Sequence, residues 1–266
     1  MKPLAEELKH RAREAAEALW LPVLLFAAWW WFSRGSESIY FPPLEKIIAL
    51  TWNDLVRGPL PGFILFSLGN LAAGLALATF VGIALGLALG WMPLAHRIID
   101  PLLQFFRAMP KVALVPLFIG ALGIGALPKI YSIALGCVWP ILLNTIDGVR
   151  AIEAAQLDTA RAYRIPMGLR LWRLILPAAA PQIVAGIRVA LSVGVVVMVV
   201  SEIYGSQQGL GYYVLNASRA FDVPQTWGGT LLVGLIGYLL STGFVIAERW
   251  ILAWHFERAR LLGRTS

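Results

Sequence analysis

Long stretches without a charged residue alternate along this chain with short polar, basic segments. The longest, residues 58–95, contains no Asp, Glu, Lys or Arg. About 20 apolar residues suffice to cross a bilayer as a helix, so each long stretch predicts one membrane span. Residues 96–128, which contain charges and prolines, are interpreted as a broken helix that crosses the membrane once. The pattern predicts six spans, at 18–33, within 58–95, through 96–128, and at 130–146, 174–204 and 228–247.

Polar segments separate these spans. Residues 34–59 contain apolar residues at helical spacing, which predicts an amphipathic helix in the membrane interface. Residues 205–227 are interpreted as a polar external loop. The apolar positions of the amphipathic helix are Leu44, Ile47, Ile48, Leu55 and Val56.

Small residues recur at every fourth position of the second span. Small side chains in register let another membrane helix approach closely. The repeat therefore favours a tight helix–helix contact over a loosely packed helix with accidental glycines. Its members are Gly74, Ala78, Gly82, Gly86 and Gly90.

The composition agrees with a membrane protein and argues against a soluble domain. Hydrophobic residues make up 59% of the 266 residues and charged residues 14%, against about 45–50% and about 25% in soluble domains. Mean hydropathy is +0.72. The formal net charge of +7 is interpreted as the basic flanks of cytoplasmic helix ends rather than as a nucleic-acid-binding surface.

The distribution of Lys and Arg predicts that both termini lie in the cytoplasm. With that orientation, five basic residues lie outside or at the outer surface, and the other seventeen of 22 lie inside or at inner helix ends. The five are Arg34, Lys46, Arg57, Lys129 and Arg219.

Motifs for catalysis are absent from the sequence. It contains no G-x-x-x-x-G-K-[ST] phosphate-binding loop, no H-E-x-x-H and no Cys-x-x-Cys. The chain is therefore predicted to be no enzyme and to hold no cofactor or metal of its own. The single cysteine, Cys137, lies in mid-span and is interpreted as a small core residue.

Residues 153–181 read EAAQLDTARAYRIPMGLRLWRLILPAAAP, an amphipathic stretch between two spans. Its apolar residues cannot face water alone. The stretch predicts either a short helix that docks into a groove of a partner protein or a helix that lies on lipid headgroups.

The same stretch resembles the EAA loop of permease subunits of ABC importers, whose signature is Glu-Ala-Ala, three residues, Gly and a later Leu-Pro. Counted back from Leu176-Pro177, the motif falls on Asp158-Thr159-Ala160 rather than on the literal Glu153-Ala154-Ala155. The glycine position falls on Arg164, which lacks the turn freedom of glycine. Four further segments resemble nitrate/sulfonate/taurine-type permeases: FPPLEKIIAL, DPLLQFFRAMPKVALVPLFIGALGIG, LPAAAPQIVAGIRVAL and SEIYGSQQGLGYYVLNA.

The resemblance implies an all-α membrane protein with the type I ABC importer permease fold and a cytoplasmic coupling helix. Residues 1–60 are expected to hold an N-terminal helix, the first span and the interfacial helix. Residues 61–266 are expected to form the permease core, with five spans and the coupling loop 151–173. A coupling helix at about 155–165 would sit in a groove of an ATPase. The contact residues implied are Leu157, Asp158, Thr159, Ala160, Tyr163 and Arg164.

The implied partners are a second copy of this chain in a homodimer, two cytoplasmic ABC ATPase subunits and an extracytoplasmic solute-binding protein. ATP and Mg would be bound by the ATPase subunits. The resemblance places the protein in a bacterial cytoplasmic (inner) membrane as a multi-pass protein, and it implies no nucleic acid partner.

Charged residues inside spans often mark a transport pathway. Arg188 is interpreted either as a guide for an anion or an inner gate, or as one member of an ion pair with Asp100 or Asp147. Glu202 is either a gate residue at the outer mouth or a helix-end residue. All four candidate pathway residues lie in the fifth span. They are Arg188, Met198, Ser201 and Glu202.

One short motif in the predicted external loop adds a second open question. Gly209-Leu210-Gly211 resembles a Gly-Leu-Gly of the family. It is interpreted either as a tight turn beneath the solute-binding protein or as an ordinary loop turn.

The predicted function is that of a permease subunit of an ATP-driven importer, forming half of the translocation pathway. The solute implied by the resemblance is small and polar or anionic, like nitrate, sulfonates, taurine or bicarbonate. The alternatives are an ion-coupled secondary transporter, which would show inverted repeats, and a passive channel, which needs no docking loop.

Overall fold

The computed structural model describes residues 20–36 and 38–254, and every regular element in these ranges is a helix. This confirms the all-α prediction. The predicted N-terminal helix, the first two residues of the first span and the basic C-terminal tail lie outside the described residues. The helices are α1 (Trp20–Ser33), α2 (Leu44–Val56), α3 (Leu60–Trp91), α4 (Pro93–Ala108), a 3-10 turn (Lys111–Leu114), α5 (Val115–Leu122), α6 (Ala126–Arg150), α7 (Ala154–Ala162), α8 (Met167–Arg170), a π turn (Leu171–Ile175), α9 (Leu176–Gly205), α10 (Leu210–Arg219) and α11 (Val223–Ile251).

Helices α3 and α6 form the centre of the fold and run parallel. The glycines of the small-residue repeat in α3 lie against α6, as predicted, and in each contact the two residue numbers differ by 59. A Cβ on any of these glycines would come within 3.0 Å of an α6 side chain. The contacts are Gly74 with Ile133, Gly82 with Ile141, Gly86 with Thr145, and Gly90 with Val149.

Helix α9 packs against α6, runs antiparallel to it and also contacts α3. Gly148 of α6 lies against Gln182, whereas Gly186 lies against Asn144 and Gly194 against Cys137. The α8 helix, the π turn and α9 together form one apolar helix of 39 residues. Cys137 is fully buried among these helices, which agrees with its interpretation as a core residue.

The segment between α3 and α6 returns the chain along the bundle. Because the α3–α6 offset is 59, the end of α3 is level with the end of α6, and the start of α6 is level with residue 67. At 1.5 Å per residue, the return is roughly 36 Å, which exceeds the thickness of the hydrocarbon core. Helix α4 and the pair formed by the 3-10 turn and α5 make this return with a bend of 85°.

Within the part of the chain that the structure describes, four helices are long and apolar enough to cross a membrane, or five if the bent pair is one span. The four are Leu60–Trp91, Ala126–Arg150, Met167–Gly205 and Val223–Ile251. The apolar helix α1 has 14 described residues, so the count of six stays a prediction.

The two ends of the bundle carry different elements. The α7 end holds α7 and the last residues of α3, α6 and α11, and the α10 end holds α2, α10 and the last residues of α1 and α9. The interpretation of residues 205–227 as a polar loop was wrong. Within it α10 buries Leu210, Tyr213 and Ala217, because its apolar residues recur three and four positions apart.

Candidate functional site

Helix α7 presents one buried and several exposed positions at the end of the bundle. Ala160 is buried against the rest of the chain, while Asp158 and Thr159 are exposed and Leu157 is partly buried. Tyr163, just after the helix, is 79% exposed. Asp158 accepts a hydrogen bond from Arg161 Nη1 at 3.0 Å. Of the six predicted coupling residues, Ala160 alone therefore faces the chain's own core.

The turn after α7 forms with arginine in the place where the family signature has glycine. Arg164 has φ = 49°, in the left-handed region. Its N–H donates to the carbonyl of Arg161 at 2.9 Å, and the N–H of Ile165 donates to the carbonyl of Ala160 at 3.0 Å. This pair of bonds is the Schellman motif, which usually ends in glycine. The departure from the signature therefore leaves the turn geometry in place.

Arg188 pairs with an acidic residue that the sequence analysis did not consider. Its Nη2 donates to Oε2 of Glu248 on α11, so the predicted partners Asp100 and Asp147 were wrong. Glu248 has a side chain only 8% exposed, whereas that of Arg188 is 45% exposed. The pair joins the interior of α9 to the last turn of α11.

Glu202 lies at the other end of α9, in a fully buried cluster of polar groups. Its Oε2 accepts hydrogen bonds from the hydroxyl of Ser67 and from the N–H of Gly211, both at 2.9 Å. The same hydroxyl accepts the N–H of Leu210 at 2.9 Å. We call these residues, with Lys129, the Glu202 cluster.

Lys129 completes this cluster from α6. It is 1% exposed, so its side chain lies inside the fold, while its predicted position on the outer side of the membrane stays a prediction. Its Nζ donates to the carbonyls of Gly125 and Gly205, and Gly205 is the last residue of α9. The cluster thereby joins α3, α6, α9 and α10 around one carboxylate.

Met198 and Ser201 are also buried in the bundle. Met198 packs in the main hydrophobic core, and the Ser201 hydroxyl donates to the Met198 carbonyl at 2.8 Å. Of the four candidate pathway residues, Arg188 alone is exposed in this structure.

The Gly209-Leu210-Gly211 motif is the start of α10. Gly209 has φ = 108°, and a side chain there would collide with the Glu202 carboxylate. Leu210 is fully buried in a core with Leu60 and Tyr213. The glycines are therefore needed by the chain itself, whatever else contacts the turn.

Tyr213 connects α10 to α2. Its hydroxyl donates to Oδ2 of Asp54 at 2.7 Å. Burial raises the pKa of this phenol above its ordinary value, and the hydrogen bond to Asp54 raises it further. The Tyr213 hydroxyl therefore stays protonated as a donor to Asp54.

Sequence reasoning missed the roles of Ser67 and Lys129 in the Glu202 cluster, the pairing of Glu248 with Arg188, and the bond between Tyr213 and Asp54. Lys129 carried a usable signal, because it is a lone cation at the start of an apolar stretch. Ser67 carried none. No cluster of three or more potential metal ligands occurs among residues 20–36 and 38–254.

Comparison with known proteins identifies the family. Residues 78–254 match the family model described as "Binding-protein-dependent transport system inner membrane component". The match begins inside α3 and includes α7, the Arg188–Glu248 pair and most of the Glu202 cluster.

Curated relatives cover most of the chain. The permease protein SsuC of Bacillus subtilis, named for the transport of aliphatic sulfonates, is 31% identical over 240 residues, 90% of this chain and 87% of its own length. The taurine transport system permease protein TauC of Escherichia coli is 27% identical over 253 residues, 92% of each chain. The bicarbonate transport system permease protein CmpB of Synechococcus elongatus is 32% identical, covering 82% of this chain and 77% of its own.

A solved structure has the same fold. The chain superimposes on one chain of the MetNI methionine ABC transporter with a TM-score of 0.65, 16% sequence identity, and coverage of 74% of this chain and 98% of that chain. The type I permease fold is thereby confirmed. The chain belongs to the binding-protein-dependent transport system inner membrane components, as a multi-pass permease subunit of an ABC importer that relies on a separate ATPase chain.

Proposed function

We propose that this permease imports a small polar or anionic solute, of the size and charge of a sulfonate, taurine, nitrate or bicarbonate. Relatives named for aliphatic sulfonates, taurine and bicarbonate support this class. The solute arrives on a separate binding protein, which sets most of the choice among these compounds. Stimulation of ATP hydrolysis by the loaded binding protein in proteoliposomes, compared across these solutes, tests the assignment.

The observation that carries the proposed mechanism is the geometry of α7. Its Asp158 and Tyr163 side chains project from the end of the bundle, while Ala160 fixes the helix to the core. We assign the outward face of α7 to a groove of the ATPase. The ATPase subunits hold ATP and Mg, and their closure moves α7 and the helices attached to it.

The assembly that we propose contains two copies of this chain, two ATPase subunits and one binding protein. One copy leaves a row of apolar residues on α4 exposed, and lipid or a second copy would cover it. Light scattering of the purified protein in detergent should give twice the chain mass of 29.1 kDa. The exposed row is Leu94, Ile98, Leu102 and Phe105.

Both termini are proposed to lie on the cytoplasmic side, with α7. Helix α11 begins at the α10 end, where Gly228 lies against Thr51, and its 29 residues carry it toward the α7 end. Helix α1 ends near the start of α11, where the rings of Trp29 and Trp227 are 5.1 Å apart. If α1 spans the membrane, its beginning lies on the α7 side. Cysteine labelling at residue 2 and residue 265 in sealed vesicles tests this orientation.

We further propose a division between residues 1–60 and residues 61–266, with the coupling loop at 151–173. The family match from residue 78 onward supports assigning the conserved transport role to the second part. The first part would be an accessory anchor, although α2 packs against α11 through Thr51 and Gly228.

Among the pathway candidates, we retain Arg188 as the one that a solute can reach. Its half-exposed guanidinium supports a role in attracting an anion. Glu202, Met198 and Ser201 are proposed to act by fixing α9 rather than by touching the solute, because each is buried.

The coupling role is tested by reversing one charge. Asp158→Lys should leave the protein inserted but abolish solute uptake that depends on ATP hydrolysis. Glu153→Lys makes the same change five residues away, outside the assigned motif, and should retain uptake. Unchanged uptake and ATP hydrolysis with Asp158→Lys would reject the assignment. Uptake by the unsubstituted protein that requires an ion gradient, or that proceeds passively without ATP, would reject it too.

A further inference from the structure

A cleft of about 640 Å³ lies between α7 and the start of the α8–α9 helix. One wall comes from α7 and the other from α8 and the π turn, so the Arg164 turn closes its end. We call it the α7–α8 cleft. The residues that matter for its chemistry are Gln156 and Thr159 on one wall and Leu169, Arg170 and Arg173 on the other.

The cleft carries two positive charges and no described acidic residue in its lining. Arg173 is exposed and makes no hydrogen bond or ion pair with any described residue. Arg170 donates from Nη2 to the carbonyl of Ile165 at 3.0 Å, and the remaining donors of its guanidinium have no partner in the described part of the chain. Asp158, the acidic residue of α7, is engaged with Arg161.

Apolar side chains surround the basic wall. Trp172 is 68% exposed, and Leu169 and Met167 are each exposed by nearly half. Tryptophan at the end of a span is typical of the membrane–water interface. A cleft that offers two guanidinium groups beside an exposed apolar rim matches a ligand with both a phosphate and acyl chains.

We propose that the α7–α8 cleft binds the phosphate group of an anionic phospholipid. Arg170 and Arg173 hold the phosphate, and Leu169 and Trp172 contact the glycerol and the upper acyl chains. Basic pockets beside membrane helices bind anionic headgroups in this way. The location in the cytoplasmic leaflet rests on the proposed function, whereas the binding itself does not.

The experiment measures lipid binding to the whole purified chain by native mass spectrometry. The delipidated protein is titrated with phosphatidylglycerol, phosphatidylcholine or inorganic phosphate. We expect phosphatidylglycerol to bind and the other two to bind at least tenfold more weakly. Arg173→Gln should weaken phosphatidylglycerol binding about fivefold, since one basic residue near a membrane surface is worth about 1 kcal/mol. Arg173→Lys should retain most of the affinity.

Arg150→Gln is the matched control. Arg150 is exposed at the same end of the bundle and lies outside the cleft, so its removal changes the net charge equally and should leave binding unchanged. Equal weakening by Arg150→Gln would overturn the proposal in favour of diffuse surface charge. Inorganic phosphate binding as tightly as the lipid would overturn it in favour of a free anion.

A protein occupant gives a third pattern. If Arg173→Gln leaves phosphatidylglycerol binding intact but abolishes co-purification with the ATPase, the cleft receives an acidic side chain of that subunit and the lipid proposal fails. Because lipid binding is measured on the isolated chain, its failure is separate from a failure of the Asp158→Lys coupling test.

Discussion

The hydroxyl of Ser67 donates to Oε2 of Glu202 across the interface of α3 and α9, at 2.9 Å. The two residues are 135 positions apart in sequence, and both are buried. Through this bond, the beginning of one span is attached to the end of another. The N–H of Leu210 and that of Gly211 add the start of α10 to the same junction.

Ser67→Ala should destabilise the protein by about 1–3 kcal/mol, because it leaves the buried Leu210 N–H without an acceptor and removes a donor from Glu202. Thermal unfolding in detergent, followed by loss of the monodisperse chromatographic peak, measures the effect. Ser192→Ala removes an exposed hydroxyl from α9 and should leave the midpoint unchanged. Equal midpoints for the two variants would show that the cluster contributes nothing measurable.

Gly86→Ala should separate α3 from α6. The new Cβ would lie 2.5 Å from Cβ of Thr145, and the helix backbones must move apart to accept it, at a cost of about 1–3 kcal/mol. Gly69→Ala is the control on the same helix, because nothing lies within 4 Å of its new Cβ. That variant should be neutral or slightly stabilising, since alanine favours helix. A lower unfolding midpoint for Gly69→Ala than for Gly86→Ala would contradict the packing.

Arg164→Gly should stabilise the turn after α7. Arginine holds a left-handed backbone at this position, which costs a side-chain-bearing residue about 1 kcal/mol relative to glycine. Arg164→Val, with a branched Cβ, should have the opposite effect. Hydrogen exchange at the N–H of Ile165, which closes the turn, reports the change directly. Faster exchange in the glycine variant would show that the Arg164 side chain stabilises the turn by contacts of its own.

Arg188→Gln should destabilise the protein more than Glu248→Gln does. Removing the arginine leaves a buried carboxylate without its counter-charge, which costs about 3 kcal/mol or more. Removing the carboxylate leaves a guanidinium that is 45% exposed and can be solvated. The double variant should be more stable than Arg188→Gln. An inverted order of the single variants would show that the arginine, and not the glutamate, is the desolvated member of the pair.

The sequence pattern predicted a structural feature correctly where one regular spacing of residues was sufficient to determine it. The four-residue repeat from Gly74 to Gly90 predicted a close helix contact, but its partner depended on the 59-residue offset, which only the fold provides. The spacing of Leu210, Tyr213 and Ala217 contained the signal for α10, and neighbouring polar residues obscured it. The partner of Arg188 could not be read from spacing, because several acidic residues lay near the ends of other spans and only the packing of α9 on α11 selects Glu248.

The constant offset between α3 and α6 has a mechanical consequence. If either helix slid along the other, a branched side chain such as Thr145 would leave the gap at Gly86 and collide with a neighbouring turn. We therefore expect α3 and α6 to move together as one rigid body. A conformational change that opens the protein to one side of the membrane or the other must then occur outside the α3–α6 pair. We expect the change at two breaks in the regular α-helix. One is the 85° bend between α4 and the following 3-10 turn, and the other is the π turn directly before α9.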